Sequence, residues 1–470
     1  MNRDSALSTL AMRCCAWSER WFPDAFAFAT LAVAVVAVAA MSIGVAPLQV
    51  ARSFGSGFWS LIPFTMQMVF IILGGYVVAD SPPIARLIRG IAAIPHDGRS
   101  AVAIVACVSQ SVSLVHWGLS MVMASLLARA MAQRADLRVD YRAAGAAACV
   151  GLGSVWALGL SSSAAQLQAN AGSMPPSLLA ITGVIPFGQT IFLWQSMLLA
   201  AVLAVTNVWV AWSSAPDESR LQTAPQMGID LKPRPHAPLT RSRPGEWLDH
   251  SPLPTLGIAT LGVAWLASEF VAKGVVTAIS NLNTYNFAFV IAGLVLQWRP
   301  RRFIDSVGRA VPSVAGVLVQ FPFIGSIAAI LTVAKNQSGV SLADLLSRAF
   351  TGIADHATFA PIIGIYSAVL GLFVPSGGGK WIIEAPYVMQ AANALHYHLG
   401  WTVQIYNAAE ALPNLINPFW MLPMLGILGL RARDLMGFTV VQFIVNLPLV
   451  LLMLWALGAT LTYHAPIISR

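Results

Sequence analysis

The stretch Ser109-Gln-Ser-Val-Ser-Leu-Val-His-Trp-Gly118 interrupts an apolar run over about residues 100–131, and Phe373-Val-Pro-Ser-Gly-Gly-Gly-Lys-Trp381 interrupts a second run over 357–396. Each run is too long for one membrane crossing. Each interruption combines small polar residues with one side chain able to carry positive charge. Backbone that breaks inside a bilayer finds no hydrogen-bond partner in lipid, so it must be buried in protein or line a cavity. Two such breaks at matching places in two half-chains are expected of a transporter with a substrate site near the midplane.

Composition agrees with a membrane setting. The chain is 57% hydrophobic and only 10% charged, against about 25% charged in a soluble domain. Further apolar runs near 25–48, 59–80, 190–213 and 435–460 reach the roughly 20 residues that cross about 30 Å of hydrocarbon. The net charge of +8 comes from basic residues in short loops. That pattern orients spans in a bilayer and forms no stripe for nucleic acid, which is excluded as a partner. Cys14, Cys15, Cys107 and Cys149 have neither zinc-ligand nor disulfide-framework spacing. Residues 1–22 hold Leu7, Leu10, Trp17, Trp21 and the arginines at 3, 13 and 20. They read as a cytoplasmic interfacial segment. The apolar core that follows runs about 24 residues, longer than the h-region of a signal peptide.

Loop charges then order the spans. The run 100–131 has Arg86, Arg89 and Arg99 on one flank and Arg129, Arg134, Arg138 and Arg142 on the other. One straight helix would place a basic flank outside and measure nearly 50 Å, so a hairpin entering from the cytoplasm is expected. A broken span over 143–169 and a full span over 190–213 follow, then a cytoplasmic linker, 214–252, rich in Pro, Arg, Asp and Ser and read as a strap between halves. After a connecting span, 253–271, the order returns upside down: 285–298, 311–334, a hairpin over 357–396, a broken span over 403–428 and a last span over 435–460. The fold class expected is an all-α polytopic membrane protein. Its inverted-topology repeats, 25–213 and 285–460, each hold a re-entrant hairpin and a broken transmembrane helix, with about nine full spans plus two hairpins.

The second breaks lie at Gly151–Gln166 and Asn407–Trp420. Pro413 and Pro418 remove helical donors, so unwinding is expected around Asn414–Asn417. Hydroxyls and amides at these places are candidate ligands: Ser109, Ser111, Ser113, Ser161, Ser162 and Ser163 in the first half, and Ser376, Asn414 and Asn417 in the second. The plainer reading is that small residues there permit close helix packing. Lys380 and Glu384 are four apart and share a helix face. They either neutralise each other, or Lys380 faces a substrate carboxylate while Glu384 balances or carries a proton. His116 holds the equivalent place in the first tip, and Glu410 is a further proton-carrier candidate or a structural partner. Trp117 and Trp381, beside the tips, are read as packing residues. His96, His396, His398 and His464 are expected in solvated loops.

The run Pro375-Ser-Gly-Gly-Gly-Lys-Trp381 with Glu384-Ala-Pro386, the later Asn414-Leu-Ile-Asn-Pro-Phe-Trp420 and the segment His116-Trp-Gly118 resemble the bacterial short-chain fatty acid transporter family over nearly the whole chain. From the loop charges the N-terminus is expected to be cytoplasmic and the C-terminus periplasmic. The resemblance implies uptake of small monocarboxylates such as acetoacetate or butyrate across the inner membrane. It also implies kinship with the ion-transporter superfamily, whose paired hairpins move like an elevator. Substrate-binding residues would be Ser113, His116, Ser161, Ser162, Ser163, Ser376, Gly377, Gly378, Lys380, Asn414 and Asn417, with Glu384 and Glu410 serving coupling. Relatives bind sodium at Ser-Asn-Thr-type tips. The tips here read Ser-Leu-Val-His and Ser-Gly-Gly-Gly-Lys, which leaves open proton coupling or sodium near Ser109, Ser111 and Asn414. No cofactor is expected. Spans 25–48, 59–80, 285–298 and 311–334 would form the scaffold, in a homodimer if the protein oligomerises. An intramembrane hydrolase is the alternative class, but no H-E-x-x-H or G-x-S-x-G motif occurs. A channel is the third.

Overall fold

Asp97 opens the first hairpin. Its carboxylate accepts the Ser100 N–H at 2.8 Å while the Ser100 hydroxyl accepts the Asp97 N–H at 3.2 Å, a reciprocal cap that starts helix Gly98–Val115. That helix ends at His116, whose backbone is extended (φ −153°, ψ 109°) and whose Nδ1 accepts the Leu119 N–H at 3.1 Å to cap Trp117–Ala132. One residue thus ends one arm and starts the other. The arms run antiparallel. Near the tip, Ser120 Oγ donates to the Ser109 carbonyl at 2.5 Å; at the base, Arg134 donates to the carbonyls of Ala92 and Pro95 at 2.9 and 3.0 Å.

The computed structural model describes residues 6–7, 9–10, 13, 20, 25–60, 62–169, 171, 176–231, 243–275, 278, 281–342, 344–345, 348, 352–373 and 377–466. Most of the interfacial segment 1–22, the linker stretch 232–242 and the tip residue Ser376 lie outside the described residues. The second hairpin pairs Phe359–Phe373 with Gly377–Ala394. Its base is closed by Phe359 against Tyr397, rings 4.8 Å apart, and its middle by the Tyr366 and Tyr387 hydroxyls at 2.6 Å.

The element after each hairpin is broken, as the glycines and prolines require. In the first half Tyr141–Cys149 gives way to turns, a 3-10 turn Trp156–Leu158 and a short helix Ser163–Gln168. Side chains on Gly151 and Gly159 would overlap the carbonyls of Ser109 and Leu114, so the first hairpin lies directly on this break. In the second half Leu399–Ala411 tightens into a 3-10 turn, Leu412–Leu415, and resumes as Pro418–Leu428 after a bend of 42°.

The helices fall into two groups that share both hydrophobic cores. Hairpins and breaks pack together with Trp194–Ser214 and Ala432–Gly458. Ala25–Ser42, Pro47–Ser60, Ile62–Ala79, Leu253–Lys273, Leu282–Gln297 and Pro300–Thr332 pack on one another as a scaffold. Where the groups meet, small residues let backbones approach. A Cβ on Gly75 would lie 3.4 Å from the Gly118 carbonyl, and one on Gly426 would lie 2.6 Å from Ser313 Cα.

Several boundaries differ from the sequence reading. The span expected over 25–48 stops at Ser42 because Gly44 turns the chain at φ +90°. The link after it forms the helix Pro47–Ser60, which packs along Pro300–Thr332 through Gly57, where only a hydrogen fits against Gly325 and Ser326. Ile62–Ala79 then bends by 74° into Pro82–Ala92. Five described helices are long and apolar enough to cross a membrane, seven if each bent pair counts as one span. The remaining crossings expected, such as the 16-residue Leu282–Gln297, fall below that length. Residues 215–231 of the linker are moored to the first hairpin and the helix after it. Asp217 pairs with Arg99 at 2.5 Å, Gln222 and Tyr141 bond through their backbones at 2.9 Å, and the Asp230 carbonyl accepts from Arg129 at 3.2 Å.

Candidate functional site

Both hairpin tips end on the first break. At the first tip, Ser161 Oγ accepts the Trp117 N–H at 3.0 Å and donates to the Ser113 carbonyl at 2.8 Å. At the second, a Cβ on Gly377 would lie 2.7 Å from the Trp156 ring and 3.7 Å from a Glu410 carboxylate oxygen, and one on Gly378 would lie 3.3 Å from Ser163 Cβ. Glycine is therefore required at the tip for close approach. Tyr406 fastens the tip from below, its hydroxyl donating to the Gly377 carbonyl at 2.6 Å. Gly378 and Ser163 are only half-buried, while Gly377, Trp156, Ser161 and Ser162 are buried.

The charged candidates are placed as follows. Lys380 is fully buried. Its Nζ donates to the Ser367 carbonyl at 3.0 Å and to Glu384 at 3.2 Å, and sits 4.3 Å over the Tyr406 ring. Glu384 also accepts the Ser367 hydroxyl. This is the mutual neutralisation weighed from the spacing, completed by Ser367 across the hairpin. His116 is buried against the scaffold, its ring 4.0 Å from Tyr285 and 4.4 Å from Phe289. Glu410 is buried, and among the described residues neither carboxylate oxygen has a hydrogen-bond partner.

The polar candidates mostly hold backbone. Ser109 Oγ donates to the Ala148 carbonyl at 2.7 Å and accepts the Gly151 N–H at 3.0 Å. Ser113 Oγ donates to the Gln110 carbonyl at 2.9 Å, and Ser162 Oγ accepts the Ala165 N–H at 3.2 Å to cap the short helix. Asn414 Nδ2 donates to the Leu152 carbonyl at 3.1 Å, joining the two breaks. Asn417 Nδ2 donates to the Leu372 carbonyl at 3.2 Å, joining the second break to its hairpin. Ser111 is exposed, unlike the buried Ser109 and Asn414 with which it was grouped. His398 is not a solvated loop residue: half-buried, it caps Leu399–Ala411 by accepting the Trp401 N–H at 3.0 Å.

Sequence reasoning missed four participants. Tyr406 precedes Glu410 by four positions on one helix face, a signal open to inspection. Ser367 and the scaffold ring Tyr285 gave none. Trp156 forms an aromatic row with Trp117 (6.5 Å), which in turn meets Trp420 (5.6 Å). Trp381 stacks on Tyr406 at 4.6 Å. Between the two helix groups lies a cavity of about 810 Å³, lined by Tyr76, Asp80, Arg89, Arg129, Arg309 and Ser313 among others. Arg309 pairs with Asp80 at 2.5 Å at its edge.

A family model described as "Short chain fatty acid transporter" matches residues 6–457. The chain belongs to the short chain fatty acid transporter family. Curated family relatives carry the name "Putative short-chain fatty acid transporter". One, from Escherichia coli (strain K12), is 33% identical over 424 residues, covering 90% of this chain and 93% of the relative. Another, from Haemophilus influenzae (strain ATCC 51907 / DSM 11121 / KW20 / Rd), is 29% identical over 450 residues, covering 93% and 97%. Similar solved structures include the Alcanivorax borkumensis YdaH transporter (TM-score 0.46, 16% identity, 93% of this chain and 98% of that one). Neisseria gonorrhoeae MtrF, described with a class of antimetabolite efflux pumps, gives 0.45 at 14% identity, covering 96% and 97%. As a member of this family the chain is a membrane transporter.

Proposed function

We propose that the chain carries short-chain monocarboxylates, acetoacetate and butyrate among them, across the bacterial inner membrane by alternating access. The observation that carries this reading is the meeting of both hairpin tips on one broken span, at Ser161 and at Trp156–Ser163. A four-carbon acid buries only about three CH₂-sized groups, worth roughly 2–3 kcal/mol, so its carboxylate must supply much of the affinity. The first described turn of the helix Gly377–Ala394 holds three glycines, and a helix N-terminus with its positive dipole end suits an anion. Ser163 stands beside Gly378 as a further donor, and Trp156 offers an apolar wall for the acyl chain. Ser113, Ser161, Ser162, His116, Asn414 and Asn417 hold the tips and breaks in shape, and Lys380 with Glu384 keeps the second hairpin neutral.

Hairpins and breaks move as one body against the scaffold, which in a homodimer would carry the subunit contact. The cavity between the groups lies beside Arg89, Arg129 and Arg309, on the side the charge rule assigns to the cytoplasm, and none of its lining residues belongs to the tips or the first break. Purified protein in proteoliposomes should take up butyrate and acetoacetate saturably, exchange labelled for unlabelled acid, and leave succinate behind. Flux that never saturates and shows no exchange would leave a pore and remove this reading.

A further inference from the structure

Glu410 poses a problem the transport reading has not used. It sits on Leu399–Ala411 immediately before the second break, 1% exposed, and among the described residues neither carboxylate oxygen has a hydrogen-bond partner. The nearest ionisable groups do not satisfy it. From the second hairpin, Lys380 and Glu384 act on it electrostatically, but the Lys380 ammonium is already bonded to Glu384 and the Ser367 carbonyl. From its own helix, Tyr406 spends its hydroxyl on the Gly377 carbonyl. The first break packs Trp156 nearby and brings no ionisable group to this place among the described residues. An ionised carboxylate so enclosed would be a bare charge in a medium that solvates it poorly, while the neutral acid is tolerated.

Lys380 and Glu384 cancel. The trio Lys380, Glu384 and Glu410 therefore has room for one exchangeable proton, and Glu410 is where it resides. We infer that Glu410 carries the proton that is cotransported with the acid, an inference that rests on the transport reading above. The carboxylate of Glu410 takes a proton from water when the site faces one side, so the body that moves holds Glu410 as the neutral acid together with one substrate anion. It returns the proton when the site opens to the other side. The Gly377 tip ties this step to the substrate place, since a Cβ there would lie 2.7 Å from the Trp156 ring and 3.7 Å from a Glu410 carboxylate oxygen.

The test uses proteoliposomes loaded with the full chain, with labelled butyrate as the probe. Wild type should accumulate butyrate under an inward proton gradient and exchange it with no gradient. Glu410→Gln, a neutral isostere, should exchange at a rate within about threefold of wild type but lose gradient-driven accumulation. Accumulation by Glu410→Gln at the wild-type level would overturn the inference, as would wild-type accumulation driven by sodium and indifferent to protons. If Glu410→Gln does not exchange, Glu410→Asp decides: a displaced pH profile of exchange supports the role, and a profile superimposable on wild type overturns it. Absence of exchange in wild type itself would instead strike the transport reading, so the two failures are distinct.

Discussion

Asp140 serves three partners at one helix start. Its carboxylate accepts the Ala143 N–H at 2.9 Å as the cap of Tyr141–Cys149, the Gln222 N–H of the linker at 2.9 Å, and the Arg142 guanidinium at 2.8 Å. Both members of the ion pair are buried. A buried pair adds little net stability, but this carboxylate also holds two backbone N–H groups, and each hydrogen bond to a charged group is worth about 1.5–3 kcal/mol. Asp140→Asn should therefore lower the melting temperature in detergent sharply, and Asp140→Asn with Arg142→Met should recover part of the loss. Equal melting of wild type and the single variant would refute this. At the opposite site Gly377→Ala should press a methyl into the Trp156 ring and cut butyrate uptake about tenfold, the equivalent of the lower end of an overpacking penalty of about 1–3 kcal/mol. Adding Trp156→Phe should restore uptake by making room, and no restoration would show that the contact is not the cause. Neither consequence was open in the sequence. Arg142 read as one more loop charge, and Gly377 and Trp156 lie far apart in the chain.

At the scale of elements, Asn207 joins four of them. Its Nδ2 donates to Gln110 of the first hairpin and to Ser154 of the first break, both at 2.8 Å. Its Oδ1 accepts from Asn446 at 2.6 Å, and its carbonyl accepts from Gln442 at 3.0 Å, both on the last helix. Asn207→Leu would strand several buried polar groups at about 1–3 kcal/mol each. It should lower thermal stability more than Asn→Leu at an exposed helix position, and matched melting curves would contradict the junction. The elements themselves were largely legible. Both hairpins, both breaks and the pairing of Lys380 with Glu384 follow from apolar length, proline position and four-residue spacing. The helix Pro47–Ser60 was missed although Val50, Phe54 and Phe58 recur every four residues and pack inward, the last two on Phe323, because its glycines and serines read as a link between spans. The linker was not legible either, since its mooring joins Asp217 to Arg99 and linker backbone groups to Asp140 and Arg129, partners that no local pattern pairs. The sequence also could not place His116, since nothing near it announces Tyr285 and Phe289 on the distant scaffold.

At the scale of the molecule, the contact between the two helix groups mixes close backbone approach with packed rings. Gly75 meets Gly118 and Gly426 meets Ser313, while His116 lies against Tyr285 and Phe289 and Trp420 faces Phe321. Under the proposed reading these contacts must part as one group moves on the other. A Cβ on Gly75 would lie 3.6 Å from Leu119 Cα, close enough for a disulfide once both carry thiols. In a background without the native cysteines, oxidising Gly75→Cys with Leu119→Cys should arrest butyrate uptake and reduction should release it. Full uptake by the bridged protein would show that these two surfaces never part.

The mooring of residues 215–231 at Arg99, Tyr141 and Arg129 gives this stretch a second identity. If the hairpins move as proposed, this stretch moves as baggage of the first of them. A nanobody clasping it would then brake transport without ever touching the acid, and a dye fixed there would report each stroke.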